Sequence, residues 1–512
     1  MTTEAVKRQE ELLKRQETVK LAAHKAESAL DALKEHVAGL ERDVKSVLGH
    51  LSRYRELNVE EALEFLKEPW CILPKARDEW WVVVPKWVGV QVGWLERSTE
   101  TYNVFVVNRY AHWFGNVPPE MRDTLKLPES FDATVEGGVL RTGVKLPREL
   151  SDHISKELGG GEYKVKIGHE FDLMAQLIDR GALPFRAHPV DKADLRQVTL
   201  RGELATLRNY QVTAWDAFLD KGAVGVFWPW SAGKTVIAGY AIANLRGPKL
   251  VVVPTKTLIE QWDERLRKWL DLSLRSGEHH IDLITYNGYE KVRNKKYVLT
   301  VFDECHRLPA NTFSRLASIS TKYRLGLSAT PYREDGRTNY IIALTGWPVG
   351  VDWNEFIRTG VITKPHVEVR IVGGWNAKLA QVQAEVERTK GGKTLIFCDS
   401  LEMGARVATR LGCPHVHGQT DNRLKVIGGA KVSVVSRVGD EGLSLPDLQK
   451  VIEIDFLGSS RRQEGQRVGR LLHADKPGQH IVLMTQEEFD SFEGRFRALE
   501  EKGFKINVRV MR

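Results

Sequence analysis

Four cysteines in 512 residues are too few and too scattered to build a disulfide framework. Cys71, Cys305, Cys398 and Cys413 therefore argue for a reducing, cytoplasmic setting. Cys413-Pro-His415-Val-His417 brings metal-ligand types together, yet no second pair stands at zinc-finger spacing, and a metal centre there is not expected. The chain also lacks any run of about 20 apolar residues, which argues against a membrane span. Its charged N-terminus has no apolar core of the signal-peptide kind. Charge of one sign is scarce as well: 75 Lys and Arg against 67 Asp and Glu leave a formal +8. Such an excess fits a polyanionic partner and fits an ordinary solvated surface equally. Long internal repeats and low-complexity segments are absent.

What is present is material for about three domains. Hydrophobic residues make up 42% and charged residues 28%, the balance of a folded, water-soluble chain. Residues 1–56 read as one long helix. Leu30, Leu33, Val37, Leu40, Val44, Val47, Leu51 and Tyr54 alternate spacings of three and four, and Leu12, Val19, Ala23 and Ala26 extend the register. With charged flanks, that spacing predicts a coiled coil over residues 12–54, joining a second copy or a partner protein. The other reading is a long helix folded back on its own domain; Gly39, Gly49 and the alanines weaken the seam.

Residues 57–200 read as a Trp-rich α+β module, in which Trp70, Trp80, Trp81, Trp87, Trp94 and Trp113 sit among short β-prone runs broken by Pro and Gly. Aromatics there serve either as core or as platforms for unpaired bases. Asp152 with Glu162-Tyr-Lys164 has the residue types of a nuclease set, a pattern short enough to arise by chance. Beyond Leu207, strand-like and helical runs alternate to the C-terminus, which predicts parallel, doubly wound sheets in two lobes, 201–362 and 363–512.

The first lobe opens on Ala223–Tyr240, a β-prone run, a Pro-containing loop and Gly233-Lys234-Thr235 leading into a helix. Loop and helix N–H groups, the Lys234 ammonium and the Thr235 hydroxyl suit a nucleotide phosphate with Mg²⁺. The motif is incomplete, with Trp228 where a glycine is expected, so a glycine-bearing turn before a core helix remains the alternative. Tyr297–His306 then delivers Asp303 and Glu304 at the end of an apolar strand, where open α/β sheets bind ligands. Adjacent carboxylates there divide the needs of phosphoanhydride hydrolysis: Asp303 for Mg²⁺, Glu304 for the attacking water.

Asp303-Glu304-Cys305-His306 resembles motif II of superfamily 2 helicases, and companions follow in order. Leu207-Arg208-Asn209-Tyr210-Gln211 is similar to the adenine-sensing Q motif, and Val253-Pro254-Thr255 with Gln261-Trp262 to motif Ia. Ser328-Ala329-Thr330 matches motif III, followed by Arg333-Glu334-Asp335, which matches the "RED" element of the XPB branch. Thr394–Phe397 resembles motif IV and Asp440–Pro446 motif V. Ser460–Arg470 resembles motif VI in an XPB-like form, with phage UvsW-type branch-migration helicases as near relatives. The likeness covers about residues 201–512.

The resemblance implies two tandem RecA-like lobes with ATP between them, preceded by the α+β module and the coiled-coil helix. It implies Arg208, Gln211, Ser231, Ala232, Gly233, Lys234, Thr235 and Gly442 around ATP. Catalysis would fall to Lys234, Asp303, Glu304, Gln466, Arg467 and Arg470, with Mg²⁺ on Thr235 and Asp303. His306, Ser328 and Thr330 would couple the lobes, and Thr255, Arg333, Glu334 and Asp335 would meet DNA. The implied activity is an ATP-dependent DNA helicase or translocase of repair or recombination, 3′ to 5′, on single-stranded, forked or branched DNA. The alternatives are an RNA helicase, the motor subunit of a restriction or defence complex, and a nucleic-acid-binding scaffold with weak ATP binding. Departures from the family pattern are Trp228 and Trp230 in the phosphate loop, Ser444 in place of aspartate and His473 in place of arginine. The Pro365–Lys393 interval is also short for the thumb insertion of cellular XPB proteins.

Overall fold

A computed structural model describes residues 69–511 apart from 77–78, 109–116, 126–131, 197, 271–279, 311–312, 330–337, 351–352, 390–391, 440–444, 446, 457–460, 473–476 and 501–502. The coiled-coil expectation for residues 12–54 and Trp113 lie outside the described residues. So do Thr330, Arg333, Glu334, Asp335, Gly442, Ser444 and His473. The chain divides into two units, Met1–Pro69 and Trp70–Arg512, and the second contains everything that follows.

Its first sheet is antiparallel, β1 (Cys71–Ala76), β2 (Glu79–Pro85), β3 (Trp94–Ser98) and β4 (Tyr102–Asn108) in the order β1-β2-β4-β3. Pro74, which has no N–H to give a ladder, sits on the edge strand β1, where a missing donor costs least. Alternation in β2 sends Val82 and Val84 inward to Val92, Phe105, Val107, Val117 and Met121, a core of its own. Trp70 and Trp80 pack against that core, while Trp81 donates its Nε1–H to Glu96 at 2.5 Å. Trp87, on a one-turn 3-10 helix, stands 58% exposed.

The second sheet, β5 (Ala133–Glu136), β6 (Val139–Thr142), β7 (Ile154–Gly159) and β8 (Glu162–Val165), runs β5-β6-β8-β7 and belongs elsewhere. Ala133, Val135, Leu140 and Val165, with Leu173, Met174 and Leu177 of the Glu170–Asp179 helix, join the core of the first lobe. Gly137 N–H donates to Ser318 O at 2.6 Å and the Ser320 hydroxyl to Glu136 at 2.6 Å, across the same junction. Among the described residues between 69 and 200, two sheets serve two cores. Glu162 accepts from Arg141 at 2.8 Å, so the nuclease-like carboxylate is spent on a cross-strand ion pair.

The first lobe is a six-stranded parallel sheet. Its strands are β9 (Ala223–Val226), β10 (Lys249–Val253), β11 (Ile281–Thr285), β12 (Lys296–Asp303), β13 (Ser320–Leu327) and β14 (Trp347–Val349), in the order β11-β10-β12-β13-β9-β14. Every residue of β9 and β10 is buried, Lys249 at the start of β10 included, as suits strands whose two faces are covered. The second lobe is parallel too. It comprises β15 (His366–Ile371), β16 (Lys393–Cys398), β17 (His415–Val416), β18 (Val432–Val435), β19 (Leu448–Asp455), β20 (Gln479–Met484) and β21 (Ile506–Val510), ordered β17-β18-β16-β19-β20-β15-β21. These are two RecA-like lobes in tandem. Among the described residues no helix is long and apolar enough to cross a membrane.

Candidate nucleotide site between the lobes

The loop after β9 ends at Gly233, which caps the Lys234–Asn244 helix at φ 80°. A side chain there would meet the Gln211 amide nitrogen at 2.5 Å, so only glycine fits both backbone and neighbour. Ser231 also lies in the left-handed region, at φ 72°, where a side chain costs about 1 kcal/mol. Lys234 donates to the carbonyls of Trp228 (3.0 Å) and Pro229 (2.9 Å). Burial lowers its pKa, against the pull of Glu304 and Asp303. Below the loop, Gln211 accepts from Arg208 N–H at 2.9 Å and donates to Gly233 O at 3.3 Å. Tyr210 donates to Ala232 O at 2.8 Å and meets the buried Trp228 edge-on at 4.9 Å.

Strand β12 carries Asp303 to the cleft, and the chain turns sharply into Glu304 at φ 52°. Asp303 accepts from Trp262 Nε1–H at 2.8 Å and from Glu304 N–H at 3.1 Å. Burial, and then the charge of Glu304, pushes the Asp303 carboxyl up to about 6, against the Trp262 hydrogen bond. Burial opposes ionisation of Glu304 too, but the His306 hydrogen bond and the nearby cations outweigh it, and its pKa falls. His306 Nδ1 lies 3.2 Å from Glu304 Oε2 and 3.0 Å from the Ser328 hydroxyl, linking the ends of β12 and β13. Two carboxyls side by side are thereby held in different states, one biased toward the acid and one toward the base.

The second lobe contributes the end of the Arg461–Gly469 helix. Gln466, Gly469 and Arg470 line one cleft of about 500 Å³ together with Arg208, Gln211, Ser231, Gly233, Lys234, Thr235, Asp303 and Glu304. Thr235 and Asp303 offer oxygen donors beside Lys234, the chemistry Mg²⁺ takes, so the residues present fit that ion.

Arg467 requires a correction. It is fully buried, donating to Glu453 at 2.5 Å and to Asp399 at 2.6 Å, with its guanidinium 4.5 Å from the Phe397 ring. It does not line the cleft. The helix ends at Gly469, so Arg470 leaves on the following turn while Arg467 stays on the inward face. Arg495 donates to Glu453 (2.8 Å) and Glu464 (2.7 Å), and His480 lies 2.8 Å from Glu464. Glu453, Glu464 and His480 are close enough to share a metal ion, but guanidinium groups already occupy the carboxylates. Burial works against protonation of His480, yet Glu464 and Glu453 raise it to about 9. Arg467 and Arg495 hold Glu453 well below the usual carboxylate range despite its burial.

Thr255 caps the Lys256–Trp269 helix, its hydroxyl accepting from Leu258 N–H at 3.3 Å. Sequence reasoning assigned no site role to Trp262 or Tyr286, whose hydroxyl donates to Asp303 O at 3.0 Å. The available signal was physical: a buried aspartate at a strand end needs donors from somewhere.

Residues 204–333 match the family description "Type III restriction enzyme, res subunit", and residues 364–499 match "ERCC3/RAD25/XPB C-terminal helicase", one in each lobe. Together with this fold and cleft, the two matches support a superfamily 2 helicase of XPB-like type. A Rad25 relative from Halobacterium salinarum is 34% identical over 348 residues, covering 59% of this chain and 58% of its own. Another from Haloarcula marismortui is 29% identical, covering 72% and 67%. The "DNA 3'-5' helicase XPB" of Mycobacterium tuberculosis is 26% identical, covering 67% and 70%. The chain thus spans under two thirds of the first of these relatives.

Proposed function

We propose that the chain is an ATP- and Mg²⁺-dependent DNA translocase or helicase serving DNA repair or recombination. The observation that carries this reading is one cleft lined by Lys234, Asp303 and Glu304 from the first lobe and by Gln466 and Arg470 from the second. Lys234 and the N–H groups around Gly233 hold the β- and γ-phosphates. Thr235 and Asp303 would hold Mg²⁺, which when bound neutralises charge on the phosphates. Glu304, kept ionised by His306 and the cations near it, orients and deprotonates the attacking water. Arg470, beside Gln466, meets charge that develops on the transferred phosphoryl group, which ties turnover to approach of the lobes. Arg467 acts through its neighbours by fixing the helix that presents Arg470. The pair His306 and Ser328, with Thr330, relays closure to the nucleic-acid grip. Arg208 and Gln211 face the base, and Gly442 completes the ATP contacts from the second lobe.

DNA, single-stranded, forked or branched, crosses both lobes and is held mainly by its phosphates, with contacts from Thr255, Arg333, Glu334 and Asp335 and a marked salt dependence. Support for DNA, and for 3′ to 5′ movement, comes from relatives whose names read DNA 3'-5' helicase. The test is phosphate release by the parent and by Glu304→Gln, titrated with single-stranded, duplex, forked and four-way DNA and with RNA. Expected is DNA-stimulated hydrolysis in the parent, lowered at least about a hundredfold in the variant. Stimulation by RNA alone, or none in the parent, overturns the proposal. Residues 12–54 are proposed to bind a second copy or a partner protein; if they join a second copy, removal of 1–56 lowers the native mass by more than the deleted residues account for, and an unchanged oligomeric state favours a foreign partner or docking on this chain.

A further inference from the structure

Trp230 projects from the nucleotide loop onto the second lobe. A Cβ built on Gly465 would stand 2.7 Å from its Cη2, and one built on Gly469 would stand 2.5 Å from its Cδ2. Residues four apart share one face of a helix. These two glycines therefore form a notch in the Arg461–Gly469 helix along which the indole lies, benzo end at Gly465 and pyrrole end at Gly469. Gly465 is interior to the helix, where glycine costs about 1 kcal/mol relative to alanine. What that position accommodates is the ring. The polar residues that face the cleft, Gln466 and Arg470, each directly follow one of the glycines.

We propose that Trp230 is a positioning residue, an apolar clasp that sets the approach of the second lobe to the phosphate loop and so the reach of Arg470. The proposal rests on the hydrolysis reading above and names how that site is regulated. An apolar contact between the lobes holds them near the hydrolytic arrangement before nucleic acid binds. Nucleic acid then has less closure left to drive, and hydrolysis in its absence is correspondingly high.

The test compares Trp230→Ala, Gly465→Ala and the double variant in the full chain. Spin labels on Arg267→Cys and Glu402→Cys, with Cys71 and Cys413 replaced by serine, report the distance between lobes without any reference to activity. Trp230→Ala is expected to widen that distance distribution. It should lower DNA-free phosphate release about tenfold, as for loss of an aromatic anchor at an interface. Saturating forked DNA should restore the rate to within about threefold. Gly465→Ala on its own adds helix propensity, yet it should widen the distribution as well, because its methyl displaces the ring. In the absence of Trp230 that methyl should do nothing further, so the double variant should match Trp230→Ala alone. A silent Gly465→Ala, full additivity, or equal losses with and without DNA would overturn the clasp. If the distances respond as expected while the parent hydrolyses no ATP, the clasp stands and the hydrolysis reading falls.

Discussion

The two lobes share an architecture and use charge in opposite ways. In the first, Asp303 and Glu304 end a strand at an open cleft, on a backbone that turns at φ 52°, with cations near but not paired fork-to-fork. In the second, the carboxyl groups of Glu453, Glu464 and Asp399 are buried, each met by Arg467, Arg495 or His480. The Asp303 carboxyl is pushed up to about 6, whereas the Glu453 carboxyl is driven down. The chemistry of the side chains does not separate these cases; their neighbours do. A carboxylate answered by guanidinium has its charge committed to the fold, and one left facing a cleft keeps it available to a ligand.

The sharpest way to break this contrast lies within one motif. Arg470→Ala is expected to lower DNA-stimulated turnover about a thousandfold or more while leaving the urea midpoint in place. Arg467→Ala should destabilise the second lobe by about 3–5 kcal/mol, since it strands buried carboxylates, and its urea midpoint should fall accordingly. Equal effects of the two on turnover with none on stability would erase the distinction. The network also carries a pH signature. His480 ordinarily titrates at 6.5 and is raised to about 9 in the fold, so its contribution is complete below 6.5 and is lost as pH rises to about 9. The loss amounts to roughly 3 kcal/mol at most, and urea unfolding of parent and His480→Gln across that range measures it. A flat parent profile would contradict the charged histidine.

The first lobe predicts a kinetic signature instead. If Asp303 must ionise to hold Mg²⁺, kcat/KM should climb with pH through about 6. Trp262→Phe removes a hydrogen bond that favours the charged carboxylate, so that limb should move to higher pH by about half a unit to one unit. A limb that stays where it was would remove Trp262 from the site. Smallest is Ser231→Gly, which relieves a side chain at φ 72° and should raise the melting temperature by the equivalent of no more than about 1 kcal/mol.

Much of the first lobe's site is legible because its residues are local. Gly233, Lys234 and Thr235 adjoin, Asp303 and Glu304 adjoin, and an apolar strand before each pair announces a strand end. Alternation of buried strands with helices announces the parallel sheets. Arg467 shows where that legibility stops. Motif VI presents two arginines three residues apart, and the resemblance gives them one task. Their separation comes from the helix ending at Gly469 and from partners at positions 399 and 453, brought together only by folding. The tryptophans of the N-terminal region were undecidable for a similar reason. Trp80 packs inward, Trp81 is tied to Glu96, and Trp87 faces solvent, although all three sit in one β-prone run.

The shared core of the second sheet and the first lobe decides where this polypeptide tolerates being cut. A fragment beginning at residue 201 keeps every helicase motif and still loses the Glu170–Asp179 helix, whose Leu173, Met174 and Leu177 belong to the first lobe's core and which packs on Ser314–Ser318 and Thr338–Thr345. A break placed between the two antiparallel sheets leaves that cluster whole and removes, along with residues 1–69, the sheet with a core of its own. The evolutionary unit recognised by motif and the physical unit that folds are therefore of different length, and a transplant of this motor has to carry the longer one.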